Sequence, residues 1–263
     1  MAINNGGKMR LKILLVILGV VIIAFGIVFY FYGPYSQAAK GGNKGKPTSG
    51  ATSGASGTPT AGKSSTTSAT SGTSPTSSTS LFSDDFSGTL SKWTVVYTSA
   101  SIVSGQLDLI PSDQTYNSSS ATHAPLIAGG DETWKDYIYS VKMKTVKQLR
   151  PTSPNPWEVG WVIFRYQNAS NFYYFIQKTN GIELGKLVNG TQKFLYTAGS
   201  PTLPLDKFNT YQIILKGNNI KISIDGSQVV NYTDSSSPFL SGKIGLYNED
   251  AETLSDDVSV TAN

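Results

Sequence analysis

Twenty consecutive residues, Ile13 to Tyr32, carry no charge and read ILLVILGVVIIAFGIVFYFY. At the 1.5 Å rise of an α-helix such a run spans about 30 Å, the thickness of a bilayer's hydrocarbon core. Lys8, Arg10 and Lys12 stand directly before it, and Tyr30, Tyr32 and Tyr35 close it with an aromatic belt. The pattern predicts one transmembrane helix over 13–32, a cytoplasmic tail over 1–12 and an exported remainder: a single-pass cell-membrane protein with its C-terminal part extracellular. A cleaved signal peptide is the competing expectation, since Ser36-Gln37-Ala38 is a passable small-x-small site. The run is longer, however, than the ~7–15 apolar residues of a signal.

Residues 33–80 are dominated by Gly, Ser, Thr, Ala and Pro with a few Lys. Such a segment has too little apolar area to offset the entropy of ordering, so it is expected to be a disordered stalk, bare or O-glycosylated. As a flexible coil, forty residues of it would extend about 35 Å end to end. Charge divides the chain at the same place. All seventeen Asp and Glu lie between Asp84 and Asp257, while seven of the twenty-one Lys and Arg precede Asp84. The N-terminal part carries +7 and the rest 14 − 17 = −3. The overall excess of positive charge thus belongs to anchor and stalk, and no nucleic-acid partner is expected. Cysteine is absent and His123 is the one histidine, which excludes disulfides, thiolate metal sites and multi-histidine centres.

From Leu81 the pattern becomes short strands separated by turn residues. Tyr137, Tyr139, Val141 and Met143 alternate with Ile138, Ser140, Lys142 and Lys144, the period of a strand with one buried face. Glu158–Tyr166 and Phe172–Gln177 carry aromatic residues at both parities, as central strands do. Asn180-Gly181 and Asn189-Gly190 signal tight hairpins, and Gly217-Asn218-Asn219 and Asp225-Gly226 mark a second meander. About eleven to thirteen strands and no long 3.6-residue period predict an all-β fold over 81–263, a two-sheet antiparallel sandwich.

Several segments resemble the concanavalin A-like lectin/glucanase superfamily of jelly rolls. Asp84-Asp85-Phe86-Ser87-Gly88 followed by Leu90-Ser91-Lys92-Trp93 looks like its opening strand, as does Ser101–Leu109. Asn209–Lys216, Ile220–Val229 and Gly242–Leu246 with Asp256-Asp257-Val258 are similar to its back half, most of all to the laminin-G-like and keto-disaccharide-hydrolase-like branch. The resemblance implies a jelly roll and leaves function open, because that superfamily holds lectins, glycosidases, adhesion modules and structural domains. The Glu-x-Asp-x-x-Glu strand of its retaining glucanases is absent. Glu158 and Glu183 stand isolated, and Asp131-Glu132 and Glu249-Asp250 fall in turn-like contexts, so no catalytic pair is read. The expected role is a carbohydrate-binding or adhesion protein whose partners are glycans or surface glycoproteins. A glycan-processing hydrolase and a structural envelope subunit are the alternatives.

An expected sugar-binding surface consists of Trp157, Arg165, Tyr166, Tyr173 and Gln177, with Trp157 delivered by the Pro154-Asn155-Pro156 loop. Asp84, Asp85 and Asp257, on the first and last strands, are candidates for a structural Ca²⁺, against simple turn and capping roles. Asn117, Asn168, Asn189 and Asn231 head Asn-x-Ser/Thr sequons and are candidate glycosylation sites.

Overall fold

The computed structural model describes residues 79–112 and 122–263. The apolar run 13–32, the stalk up to residue 78 and Asn117 lie outside them. Among the described residues no helix is long and apolar enough to cross a membrane. They form fifteen strands and one short 3₁₀ turn at Leu90–Lys92. The first strands are β1 (Ser80–Asp84), β2 (Trp93–Tyr97), β3 (Ser101–Val103), β4 (Gln106–Leu109) and β5 (Leu126–Gly129). The middle of the chain forms β6 (Tyr137–Gln148), β7 (Gly160–Asn168), β8 (Asn171–Lys178), β9 (Gly181–Val188) and β10 (Thr191–Ala198). The last are β11 (Asn209–Lys216), β12 (Asn219–Ile224), β13 (Ser227–Thr233), β14 (Lys243–Asn248) and β15 (Ala251–Ala262).

All these strands pair antiparallel, in two sheets. The first has eight strands, ordered β13-β12-β11-β6-β15-β4-β3 with β1 also pairing β15; the second has seven, ordered β10-β9-β8-β7-β14-β5-β2. This is the two-sheet jelly-roll sandwich that the alternation and the hairpins predict, with more strands than the sequence suggests. The first and last strands pair, Asp84 lying opposite Val258.

One parity of each sheet meets in a shared core. Tyr139, Val141, Ile213 and Ile222 from the first sheet pack with Val162, Phe164, Phe175 and Leu184 from the second. In β6 the expected alternation holds, Tyr137, Tyr139, Val141 and Met143 all being buried. The second sheet is also apolar on its outer face. Trp161, Ile163, Tyr174, Ile176, Leu187 and Tyr247 form a second cluster there, with Val159 and Leu203 from flanking loops laid against it. Burial on both faces explains why Trp161–Phe164 of β7 and Phe172–Ile176 of β8 read as unbroken apolar and aromatic runs.

Turns of an antiparallel meander fall at alternate ends, and this gives the sandwich two distinct poles. At the entry pole Thr79 O accepts from Ala262 N at 2.9 Å, and Asn263 N donates to Asp136 O at 3.3 Å. The β7–β8 and β9–β10 turns lie at this pole and abut, Gly190 N donating to Ser170 O at 2.9 Å. The pole is clamped by a buried ion pair: Lys186 Nζ donates to Asp234 Oδ2 at 2.6 Å and to the carbonyls of Ser236 and Ser237. Burial disfavours the Asp234 carboxylate, but hydrogen bonds from Lys186 and Tyr173 outweigh it and hold its pKa below the ordinary value. The β8–β9 and β14–β15 turns mark the far pole.

Removing one member of a fully buried pair leaves the other charge uncompensated. Lys186→Met is therefore expected to lower stability by about 3–5 kcal/mol in chemical denaturation. Wild-type stability in that variant would show that the clamp is dispensable.

Candidate functional site

Four carboxylates from three separate parts of the chain gather over the outer face of the second sheet, toward the far pole. Glu158 precedes β7, Glu183 lies on β9, and Glu249 and Asp250 occupy the β14–β15 turn. All four are at most 5% exposed. Asp250 adopts a left-handed conformation, φ 41°, which an Asp tolerates and which makes this turn tight.

Each acid is held by a specific partner, as buried charges must be. Arg150 donates from Nε to Glu158 Oε1 at 2.7 Å and from its other arm to Asp250 Oδ2. Burial opposes the guanidinium charge, yet Glu158 and Asp250 outweigh it and raise the Arg150 pKa above its ordinary value. Asn155 donates to both oxygens of Glu158, from its backbone N at 3.0 Å and from Nδ2 at 2.7 Å. Asp250 Oδ1 accepts from the His123 backbone N at 2.8 Å and faces the ring Nδ1 at 3.0 Å. The histidine is thereby tied to the acidic turn.

A second chain of contacts runs across the sheet. Gln192 Nε2 donates to the Tyr174 hydroxyl at 2.7 Å, that hydroxyl donates to Glu183 Oε1 at 3.0 Å, and Lys178 Nζ reaches Glu183 Oε2 at 2.8 Å. Gly185 makes room for this chain, because a Cβ there would lie 2.1 Å from the Tyr174 oxygen. Below lies an aromatic floor, with Trp161 4.8 Å from Tyr174 and 5.0 Å from Tyr247 between ring centres. Tyr247 donates to Glu249 Oε1 at 2.9 Å. Burial first, then the charges of Asp250, Glu158 and Glu183, push the Glu249 pKa up to about 8 against the hydrogen bond from Tyr247. The result is a Glu249 that stays protonated at neutral pH.

Of the five residues expected to face a sugar, two lie with this outer cluster. Trp157 packs half-buried against it, its carbonyl accepting from Trp161 Nε1 at 3.0 Å. Tyr166 belongs to the same cluster and stacks on Phe172 with ring centres 6.0 Å apart. The other three are buried and point into the sandwich, away from that cluster. Gln177 shares the inward parity of Tyr173 and Phe175 and accepts from Tyr211 at 2.8 Å. Tyr173 donates to buried Asp234. Arg165 breaks the alternation with φ 46°, is fully buried, and donates to Phe239 O at 2.8 Å and Lys135 O at 3.0 Å.

Asp84, Asp85 and Asp257 do line one groove, together with Lys92. Asp84 accepts from Trp93 Nε1 at 2.8 Å and from Phe86 N at 3.1 Å, and Asp85 accepts from the Ser87 hydroxyl at 2.8 Å. Asp257 accepts from Lys142 at 2.6 Å. These are the capping and ion-pair roles. Among the described residues no group of three or more acidic or histidine side chains is arranged to hold a metal.

Residues 77–261 match the family model of the 3-keto-alpha-glucoside-1,2-lyase-like domain, and the chain belongs to that family. No curated protein sequence matches it. Among solved structures it is similar to a carbohydrate-binding module from Bacillus subtilis, with 18% identity and a TM-score of 0.52 over 65% of this chain and 96% of that one. A Bacillus licheniformis beta-glucanase aligns with 16% identity and a TM-score of 0.51, covering 71% and 99%. A Bacillus subtilis protein with a galectin-like fold aligns with 13% identity and a TM-score of 0.54, covering 70% and 96%. These likenesses show a shared jelly-roll fold.

Glu249 gives the site a pH signature. Its pKa rises from 4.5 unfolded to about 8 folded, so the stability it permits is complete below about 4.5 and is lost as pH climbs toward 8. Glu249→Gln should leave stability nearly unchanged at pH 4.5 and raise it over wild type by roughly 1–3 kcal/mol at pH 8. Parallel pH–stability curves for the two proteins would contradict the buried acid.

Proposed function

We propose that this is a membrane-anchored surface protein that captures glycans on the outer face of its second sheet. The observation that carries the reading is the convergence of Glu158, Glu183, Glu249 and Asp250 over the floor of Trp161, Tyr174 and Tyr247. Half-buried Trp157 at the edge of that floor offers a ring to the apolar face of a pyranose, and fixed carboxylates and amides offer partners to its hydroxyls. Trp157, Lys178 and Gln192, each only partly covered, form the rim through which a sugar would engage. With Glu158, Glu183 and Asp250 set against Arg150 and Lys178, the site favours neutral glycans over anionic ones. The family name and the carbohydrate-binding module among the structural neighbours support the same ligand class. The uncharged run 13–32 supports the anchor, and the low-complexity segment after it supports a stalk.

A protonated Glu249 beside Glu158, Glu183 and Asp250 favours a second reading, the elimination that the family name describes. In a 3-keto-glucoside the hydrogen on C2 is acidified by the neighbouring carbonyl. A carboxylate accepts that proton, the electron pair forms the C1=C2 bond, and the C1–O bond breaks. Glu249 protonates the departing alcohol, once the entering ligand has uncovered it.

Calorimetric titration of the detergent-solubilised full chain with maltotetraose tests the first reading. Trp157→Ala should weaken binding by about 10-fold or more while lowering stability by about 1–2 kcal/mol, as suits a half-buried indole. Unchanged affinity in that variant places the site elsewhere. Release of an enone from a 3-keto-α-glucoside, lost in Glu249→Gln, would favour elimination over simple capture.

A further inference from the structure

Three of the four sequons fall on described residues, and all three asparagines are exposed. Their positions are not scattered. Asn168 begins the β7–β8 turn and Asn189 sits in the β9–β10 turn, both at the entry pole. The two turns touch: Asn189 N donates to Asn171 Oδ1 at 3.0 Å beside the contact between Gly190 and Ser170. Asn231 lies near the same pole, two residues before the end of β13, where Asp234 N donates to Asn218 O at 3.0 Å. Asn219 Nδ2 donates to Asn231 Oδ1 at 3.0 Å. The carboxylate cluster occupies the opposite half of the sandwich.

Local geometry suits the modification. Asn168 Oδ1 accepts from Ser170 N at 2.9 Å and from Asn171 Nδ2 at 3.1 Å, which fixes the amide plane and turns its Nδ2 outward. Asn189, φ 51°, lies exposed at a hairpin tip. Two of the three sequons also mark sheet edges. Asn231 is on β13, the edge of the first sheet, and Asn189 immediately precedes β10, the edge of the second. Open edges with unpaired N–H and C=O groups invite pairing between copies, and β10 in addition exposes Phe194 and Tyr196.

We propose that Asn168, Asn189 and Asn231 carry N-linked glycans forming a collar around the entry pole, which covers the open edges β10 and β13 and leaves the carboxylate pole bare. The transfer forms an Nδ2–C1 bond and breaks the C1–O bond to a polyprenyl phosphate or pyrophosphate carrier. The amide proton leaves with the released carrier. The proposal rests on the exported orientation and is independent of what the carboxylate pole binds.

Mass spectrometry of glycopeptides from the full chain, purified from its own membranes, tests the collar. Glycan mass is expected on all three asparagines and is expected to disappear in Ser170→Ala, Thr191→Ala and Thr233→Ala, which remove the sequons yet keep the asparagines and their turns. The triple variant should sediment as larger species than the monomeric wild type in detergent. Labelling of intact cells separates the two failures. A surface-labelled domain with bare asparagines overturns the collar alone, and an unlabelled domain overturns the exported orientation with it. A fully glycosylated wild type whose triple variant stays monomeric overturns the edge-covering role.

Discussion

The second sheet has to be covered on both faces, and the rest of the domain follows from that requirement. One face of β7, β8 and β9 meets the first sheet through Val162, Phe164, Phe175 and Leu184. The other carries Trp161, Tyr174, Ile176 and Leu187, which cannot be left in water without forfeiting much of their burial energy. The cover comes from the loops before β7 and after β10 and from the β14–β15 turn. Those loops bring Arg150, Glu158, Glu249 and Asp250 with them. Once buried, the acids need partners, and the Arg150 fork, the Asn155 amide and the tyrosine hydroxyls supply them. An apolar requirement therefore ends in a polar site.

Stability and chemistry are segregated along the sandwich. At the entry pole, buried charges are tied to specific partners and serve structure: Lys186 to Asp234, and Arg165 to two backbone carbonyls. At the far pole the groups are paired unequally, Glu158, Asp250 and Glu183 sharing Arg150 and Lys178 while burial holds Glu249 neutral. That inequality distinguishes a site from a clamp, because only there does a protonation state lie close to neutral pH.

The fold was legible because its signals are local. Period-two alternation in Tyr137–Thr145 and the Asn-Gly and Asp-Gly pairs each report on neighbouring residues, and the strands and turns lie where they indicate. The candidate site was legible only in part. Trp157 is near it because a proline-rich loop carries it there. Arg165, Tyr173 and Gln177 were misplaced because the bulge at Arg165 and the inward parity of Tyr173 are set by pairing across strands. Glu158, Glu183, Glu249 and Asp250 look isolated because their proximity depends on the order β9-β8-β7-β14, which no local pattern encodes. The doubly apolar character of β7 and β8 was the available clue, since such strands need a cover and the covering loops are where buried acids collect.

The central claim is that ligand engages the outer face of the second sheet. Hydrogen exchange of the full chain in detergent, with and without saturating maltotetraose, tests it most directly. Slowed exchange is predicted in the loop 155–159, in Tyr174–Lys178 and in the β14–β15 turn, with β11, β12 and β13 unaffected. Protection confined to the first sheet, or none anywhere at a concentration that saturates binding, would contradict the account.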